Sequence, residues 1–166
     1  MSKMIHFKVV TTNQDLILIE EMAKIIWHEH YTPIIGVEQV VYMLEKFQSA
    51  ATMRSQMEKG YQYFLIVKEK SPVGYLSFIK KEEELFLSKI YILSEERGQG
   101  TGRIAFQFIE TQARENHCKK IGLTVNKNNL NSIKAYKSAG FQNIGALVQD
   151  IGHGFVMDDY AMEKLI

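Results

Sequence analysis

The segment from Ile90 to Arg103 (IYILSEERGQGTGR) concentrates residues whose types and spacing suit one piece of chemistry. An apolar stretch, Ile90 to Leu93, runs into a turn carrying Gly98, Gly100 and Gly102, and a helical period follows. The first N–H groups of a helix have no intrahelical acceptor, and the dipole makes that end partly positive. Glycines let the main chain come close to a bulky anion. Arg97 and Arg103 add guanidinium groups whose geometry matches phosphate oxygens. The ligand this arrangement selects is a pyrophosphate. A nucleotide P-loop would need Gly-x-x-x-x-Gly-Lys-Ser/Thr, and that string does not occur. A dinucleotide fingerprint would need Gly-x-Gly-x-x-Gly early in a βαβ unit, whereas these glycines alternate and follow a run of strands.

Two other clusters carry reactive side chains. In Trp27-His28-Glu29-His30-Tyr31 the two histidines lie two positions apart, on different sides of a helix, and His-Glu-x-x-His is not met. No metal site is expected there. Cys118 follows His117, but sequence neighbours rarely give nucleophile and base the right geometry, so Cys118 is read as a buried free thiol.

The periodicity indicates what positions these groups. Ile5 to Val10 reads as a first strand. Thr12 with Asp15 resembles a capping box, and Leu16, Ile19, Met22, Ala23 and Ile26 share one face of a helix ending near Tyr31. Pro33 makes Thr32 to Gly36 a loop. Val37 to Phe47 reads as a second helix, and Ala50 to Glu58 as a third or a continuation of it, closed by Gly60. Tyr61 to Lys68, Pro72 to Lys80 and Leu85 to Leu93 are β-branched and aromatic strands joined by short polar turns, an antiparallel meander. After Gly102, Ile104, Ala105, Phe108, Ile109 and Ala113 return to the helical period. Lys120 to Val125 is a strand, and Asn131 to Ala139 a helix capped by Gly140. Phe141 to Val148 and Phe155 to Lys164 form two final strands around Gly152-His153-Gly154. The expectation is one α/β domain over residues 1–166, a mixed central sheet of about seven strands flanked by about four helices.

The string Arg97-Gly98-Gln99-Gly100-Thr101-Gly102 resembles the acyl-CoA pyrophosphate motif of the GCN5-related N-acetyltransferase (GNAT) superfamily, Arg/Gln-x-x-Gly-x-Gly/Ala. Downstream, Asn129 to Phe141 (NLNSIKAYKSAGF) is similar to the family's second signature, with Ser132 in place of the usual Ala. The element order is similar to that fold over nearly the whole chain.

The resemblance implies a GNAT-like acyl-CoA N-acyltransferase fold with acetyl-CoA as acyl donor. It implies that the fourth strand splays from the fifth and that pantetheine bonds to the backbone of Ile90, Tyr91 and Ile92, much as an added strand would. The N–H near Ile92 would polarise the thioester carbonyl. The pyrophosphate would lie on Gly98, Gln99, Gly100, Thr101, Gly102 and Arg103, with Arg97 beside it. Asn129 would touch the cofactor arm. Tyr136 would protonate the departing thiolate, a thiol titrating near ~8.5 and a phenol near ~10; a core tyrosine is the alternative. Transfer would be direct, a neutral amine attacking in a ternary complex, without a Cys118 acyl intermediate. An alkylamine titrates near ~10.4, so a group must take its proton. Some relatives place a Glu on strand four or five, where this chain has Phe86 and Thr124. The general base is therefore open among Glu84, His153 and Glu29; Glu84 also reads as part of a solvated turn with Glu82 and Glu83, and His153 as a turn residue. The first helices of the family wall the acceptor pocket, where Trp27, Tyr31 and Glu29 would suit a cationic amine; packing of a helix end is the other option.

With formal charge +1 from 20 Lys+Arg and 19 Asp+Glu, the chain is not a strongly basic nucleic-acid binder. Apolar residues at 46% and charged residues at 23% exclude disorder as the default. A lone cysteine cannot staple the fold, and neither a leader in Met1 to Val10 nor a membrane-length apolar run is seen, so a cytoplasmic protein is expected. The function implied is acetyl transfer from acetyl-CoA to a primary amine of a small molecule or peptide, in a protein that needs no metal and that, like its relatives, could be a homodimer. A non-catalytic acyl-CoA sensing module is the alternative, and the acceptor stays open.

Overall fold

The computed structural model describes residues 4–166; Met1, Ser2 and Lys3, the start of the stretch read as leader-free, lie outside the described residues. Strands β1 (Ile5–Val9), β2 (Gln62–Lys68), β3 (Ser71–Lys81), β4 (Glu84–Ile92), β5 (Lys120–Asn126), β6 (Gln142–Gly152) and β7 (Phe155–Leu165) form a seven-stranded sheet in the order β1-β2-β3-β4-β5-β7-β6. The helices are α1 (Asn13–His30), α2 (Thr32–Ile35), α3 (Val37–Phe47), α4 (Ala50–Glu58), α5 (Thr101–Glu115) and α6 (Leu130–Ser138). The chain divides into two compact units: residues up to Ile79 with Lys89–Ala105, and Lys80–Ser88 with Phe106–Ile166.

In the first unit, α1 starts where Thr12 Oγ1 accepts from the Asp15 N–H at 3.1 Å, the first half of the expected capping box. Its face of Leu16, Ile19, Met22, Ala23, Ile26 and Trp27 is buried. Thr32–Ile35 corrects the sequence expectation of a loop: it is a turn of helix, and with Ala50–Glu58 separate from Val37–Phe47 the described helices number six rather than about four. Pro33 sits in the first turn, where a missing N–H costs nothing and the fixed φ suits the helix. Gly36, at φ +85°, ends it by donating to Thr32 O. β2 and β3 pair antiparallel through Tyr63↔Ser77, Phe64↔Leu76 and Leu65↔Tyr75, as the meander predicts. Their buried residues, with Val40, Met43 and Met53 of the helices, make the core of this unit.

In the second unit, β4 and β5 run parallel through Glu84↔Lys120, Leu85↔Ile121 and Phe86↔Gly122. β7 joins β5 antiparallel, with Leu123 opposite Met162, and pairs on its other side with β6. α6 ends at Gly140, whose φ of +101° is the expected left-handed cap. β6 is the edge strand, and Gln142 through Asp150 are all exposed. Cys118 is buried and free, as read from the sequence, and burial pushes its thiol pKa up. None of the described helices is long and apolar enough to cross a membrane.

Candidate functional site

In the first unit, β4 delivers Ile90, Tyr91 and Ile92 to the turn that opens α5. Gly98 and Gly100 hold φ values of +74° and +84°, a left-handed backbone that favours glycine. A Cβ on Gly98 would meet no atom within 4 Å, and one on Gly100 only Arg103 Nη2 at 3.9 Å. The two glycines thus leave open main chain beside a guanidinium. Ile104 N donates to Gly100 O, so the N–H groups of Thr101, Gly102 and Arg103 precede the first intrahelical bond. Thr101 is buried, and its hydroxyl has no hydrogen-bond partner among the described residues. Arg97 and Arg103 are exposed. These are the features a diphosphate needs: open amides, a positive helix end and exposed cations. Gln99 is placed differently from the rest: its amide donates to Glu95 O at 3.0 Å and its carbonyl accepts from Lys68 Nζ. Lys68 also pairs with Glu96 at 2.9 Å, so β2 braces the turn from below.

The aromatic cluster at the end of α1 reaches the same strand. The Trp27 ring lies 4.4 Å from that of Tyr31 and 5.7 Å from that of Tyr91. Tyr31 and Tyr91 are 6.3 Å apart, edge to face. Trp27 is 3% exposed, so of the residues expected to meet an acceptor it serves by packing, while Tyr31 is half-buried. Exposed Glu29 accepts from Ser94 Oγ at 3.0 Å, which brings this candidate base to the end of β4.

Beneath β4 lies a group the sequence reading missed. Lys89 is 5% exposed and donates to Gln56 Oε1 at 3.0 Å and to Tyr63 Oη; Tyr63 in turn donates to Gln56 Oε1. Burial pulls the Lys89 amine down to about 7 and pushes the Tyr63 phenol well up. The signal was present in the phase of the strand: Leu85, Leu87 and Lys89 alternate on the buried side.

In the second unit, Tyr136 of α6 is half-buried and held edge-on between Phe106, at 5.8 Å, and Phe141, at 5.9 Å. Asn129 is 2% exposed and precedes the first turn of α6. Glu84 corrects its reading as a solvated turn residue. It opens β4, is half-buried, and its carboxylate fills the space that a Cβ on Gly122 would take. His153 sits exposed in the turn between β6 and β7 at φ +52°, as read. Asp159 of β7, not singled out in the sequence, is 4% exposed opposite Asn126; burial, helped by Asp158, raises its carboxyl to about 6.

Residues 19–141 match the model of the acetyltransferase (GNAT) family. No curated protein is significantly similar to the chain. Among solved structures, the PaiA N-acetyltransferase of Thermoplasma acidophilum in complex with coenzyme A is 18% identical, with a TM-score of 0.80 over 98% of this chain and 99% of that one. A GCN5-related N-acetyltransferase from Rhodopseudomonas palustris gives 0.83 at 12% identity over 100% and 98%. A spermidine N-acetyltransferase chimera from Vibrio cholerae and hSSAT gives 0.70 at 19% identity over 97% and 95%. At these identities the likeness is one of fold.

Proposed function

Because the chain belongs to the acetyltransferase (GNAT) family, we propose that it transfers the acetyl group of acetyl-CoA to a primary amine of a small molecule or peptide, by direct attack in a ternary complex. The observation that carries this proposal is the open glycine turn at the start of α5, with Arg103 beside Gly100. In this scheme the amides of Gly98 to Arg103 hold the diphosphate, with Arg97 and Arg103 neutralising its charge. The backbone of Ile90, Tyr91 and Ile92 orients pantetheine, and the Ile92 N–H stabilises the negative charge that develops on the thioester oxygen. Asn129 binds the cofactor arm, and Tyr136 returns a proton to the thiolate. Tyr31 and Glu29 receive the acceptor, with Trp27 packed behind them. Of the three candidate bases, Glu29 is the one that lies in the first unit with the glycine turn, held by Ser94 just after β4, and it takes the proton from the amine.

Thiol release from acetyl-CoA with a panel of amines tests the scheme. The expected result is turnover with at least one amine. The absence of a carboxylate at Phe86 and Thr124 favours a second reading, an acyl-CoA binding module. Saturable acetyl-CoA binding with no turnover across the panel is the outcome that selects it.

Two substitutions follow from the roles. Gly100→Asp puts charge and bulk where the diphosphate would lie, at a residue with φ +84°. Acetyl-CoA affinity is expected to fall at least ~10-fold, about 1.4 kcal/mol. Unchanged affinity by calorimetry would mean that the diphosphate binds elsewhere. Tyr136→Phe keeps the ring between Phe106 and Phe141 but removes the hydroxyl. It is expected to lower kcat about 100-fold with little change in acetyl-CoA affinity. Full single-turnover rates in the variant would retire the acid role.

A further inference from the structure

A cavity of about 300 Å³ opens in the helical layer of the first unit, apart from the glycine turn. Glu20 and Lys24, one turn apart on α1, line one side; Val41, Leu44 and Glu45 of α3 line the other, and Gln48 closes it. Its polar groups are uncommitted in a telling pattern. Gln48 is 3% exposed, and its Oε1 accepts from the Tyr75 hydroxyl at 2.9 Å. That bond fixes the carboxamide and leaves its two amide hydrogens without a protein acceptor among the described residues. Glu20 Oε1 accepts from the Ala50 N–H at 3.2 Å, leaving Oε2. Neither Lys24 nor Glu45 has an ion-pair partner among the described residues.

The Gln48 amide is not sealed from solvent, so water in the cavity answers it, and a ligand that takes the place of that water has to supply an acceptor. The lining therefore specifies its complement: acceptors for Lys24 and Gln48, a cation for Glu20 and Glu45, and an aliphatic stem for Val41 and Leu44. A simple amine would leave Lys24 and the Gln48 amide unanswered. A simple carboxylate would face two glutamates. The volume is at the small end of ordinary ligand sites.

We propose that this cavity binds a free zwitterionic amino acid with an aliphatic side chain, its carboxylate on Lys24 and Gln48, its ammonium between Glu20 and Glu45, and its side chain on Val41 and Leu44. Gln48 also links the cavity to the site strand, since Tyr75, which holds its carbonyl, lies 5.4 Å ring to ring from Tyr91. Acetyl transfer is not needed for the binding.

Isothermal calorimetry on the full chain tests it with three probes: L-leucine, 4-methylpentanoate (no ammonium) and 3-methylbutylamine (no carboxylate). Saturable leucine binding is expected, at least ~10-fold tighter than either truncated probe, and weakened at least ~10-fold by Lys24→Met and by Glu45→Gln. Both positions are exposed, so the variants keep the fold, which their melting temperatures verify. Gln48→Leu should abolish binding in the same way. No saturable heat with leucine, equal binding of all three probes, or full affinity in Lys24→Met and Glu45→Gln would each overturn the proposal. Thiol release with leucine as acceptor would also overturn it, by making the cavity part of the transfer site.

Discussion

Gly74→Ala is expected to cost about 3 kcal/mol of stability and to lower the melting temperature by roughly 10 °C. Gly74 lies in β3 opposite Ile66, and the space above its Cα is taken by the backbone of the site strand. An added Cβ would overlap the Tyr91 carbonyl oxygen and lie 3.1 Å from Ile92 Cα and 3.3 Å from Ile66 Cδ1. A flexible side chain could swing away, but the first two neighbours are main chain, and moving them means moving β4. The displaced residues are the ones proposed to orient pantetheine, so acetyl-CoA affinity should drop along with stability. Gly36→Ala separates crowding from backbone strain. Gly36 has φ +85° and ψ 156° but nothing within 4 Å of its Cβ position, so it should lose about 1–3 kcal/mol to backbone strain and leave acetyl-CoA binding intact. Differential scanning calorimetry and a binding titration on the two variants decide the matter. Equal melting temperatures for Gly74→Ala and the parent chain would show that β3 and β4 are not packed this closely.

The part of the fold that could be read in the sequence is the part fixed by local rules. The strand periods, the Thr12 cap and the left-handed Gly140 each depend on residues within a turn of one another, and each is found in the structure. The glycine turn was legible for the same reason: Gly98, Gly100 and the start of α5 are contiguous. Thr32–Ile35 was misread because proline breaks a helix in its interior but starts one in its first turn, and only the position of Tyr31 relative to α1 distinguishes the two cases. Glu84 was misread because the glycine beneath it, Gly122, is supplied by a strand far away in sequence. Lys89, Gln56 and Tyr63 come from β4, α4 and β2, and Gln48 meets Tyr75 across a similar separation. Pairings of that kind depend on tertiary packing, which a single sequence states only through the phase of each strand.

Lys89→Met should make the protein more stable at neutral pH, although it removes two hydrogen bonds. Lys89 is buried and donates to a phenol and an amide, and burial draws its pKa from 10.5 to about 7. In the unfolded chain the amine keeps its proton up to about 10.5. Between these values the unfolded state binds more protons than the folded one, so stability rises with pH from about 7 to about 10.5 and is lower on the acid side. At about 1.4 kcal/mol per pKa unit, the shift corresponds to roughly 4 to 5 kcal/mol of penalty at pH 7. Methionine has no charge to desolvate and fits the apolar stem of lysine. Against this, Tyr63 loses a donor to its oxygen and Gln56 loses one of its two, a cost of roughly 2 kcal/mol. The Tyr63 hydroxyl still donates to Gln56, so no hydrogen is orphaned. The net expectation is a gain of roughly 2 kcal/mol at pH 7, a rise of about 5 °C in melting temperature. The pH dependence is the sharper test, because a packing effect alone would shift stability equally at every pH. The gain should shrink steadily as the pH is raised from 7 to 10, until the parent chain matches or exceeds the variant. Urea titrations of both proteins across that range give the two curves. Parallel curves would mean that Lys89 keeps its proton in the folded chain and that the triad with Tyr63 and Gln56 holds an ammonium, not an amine.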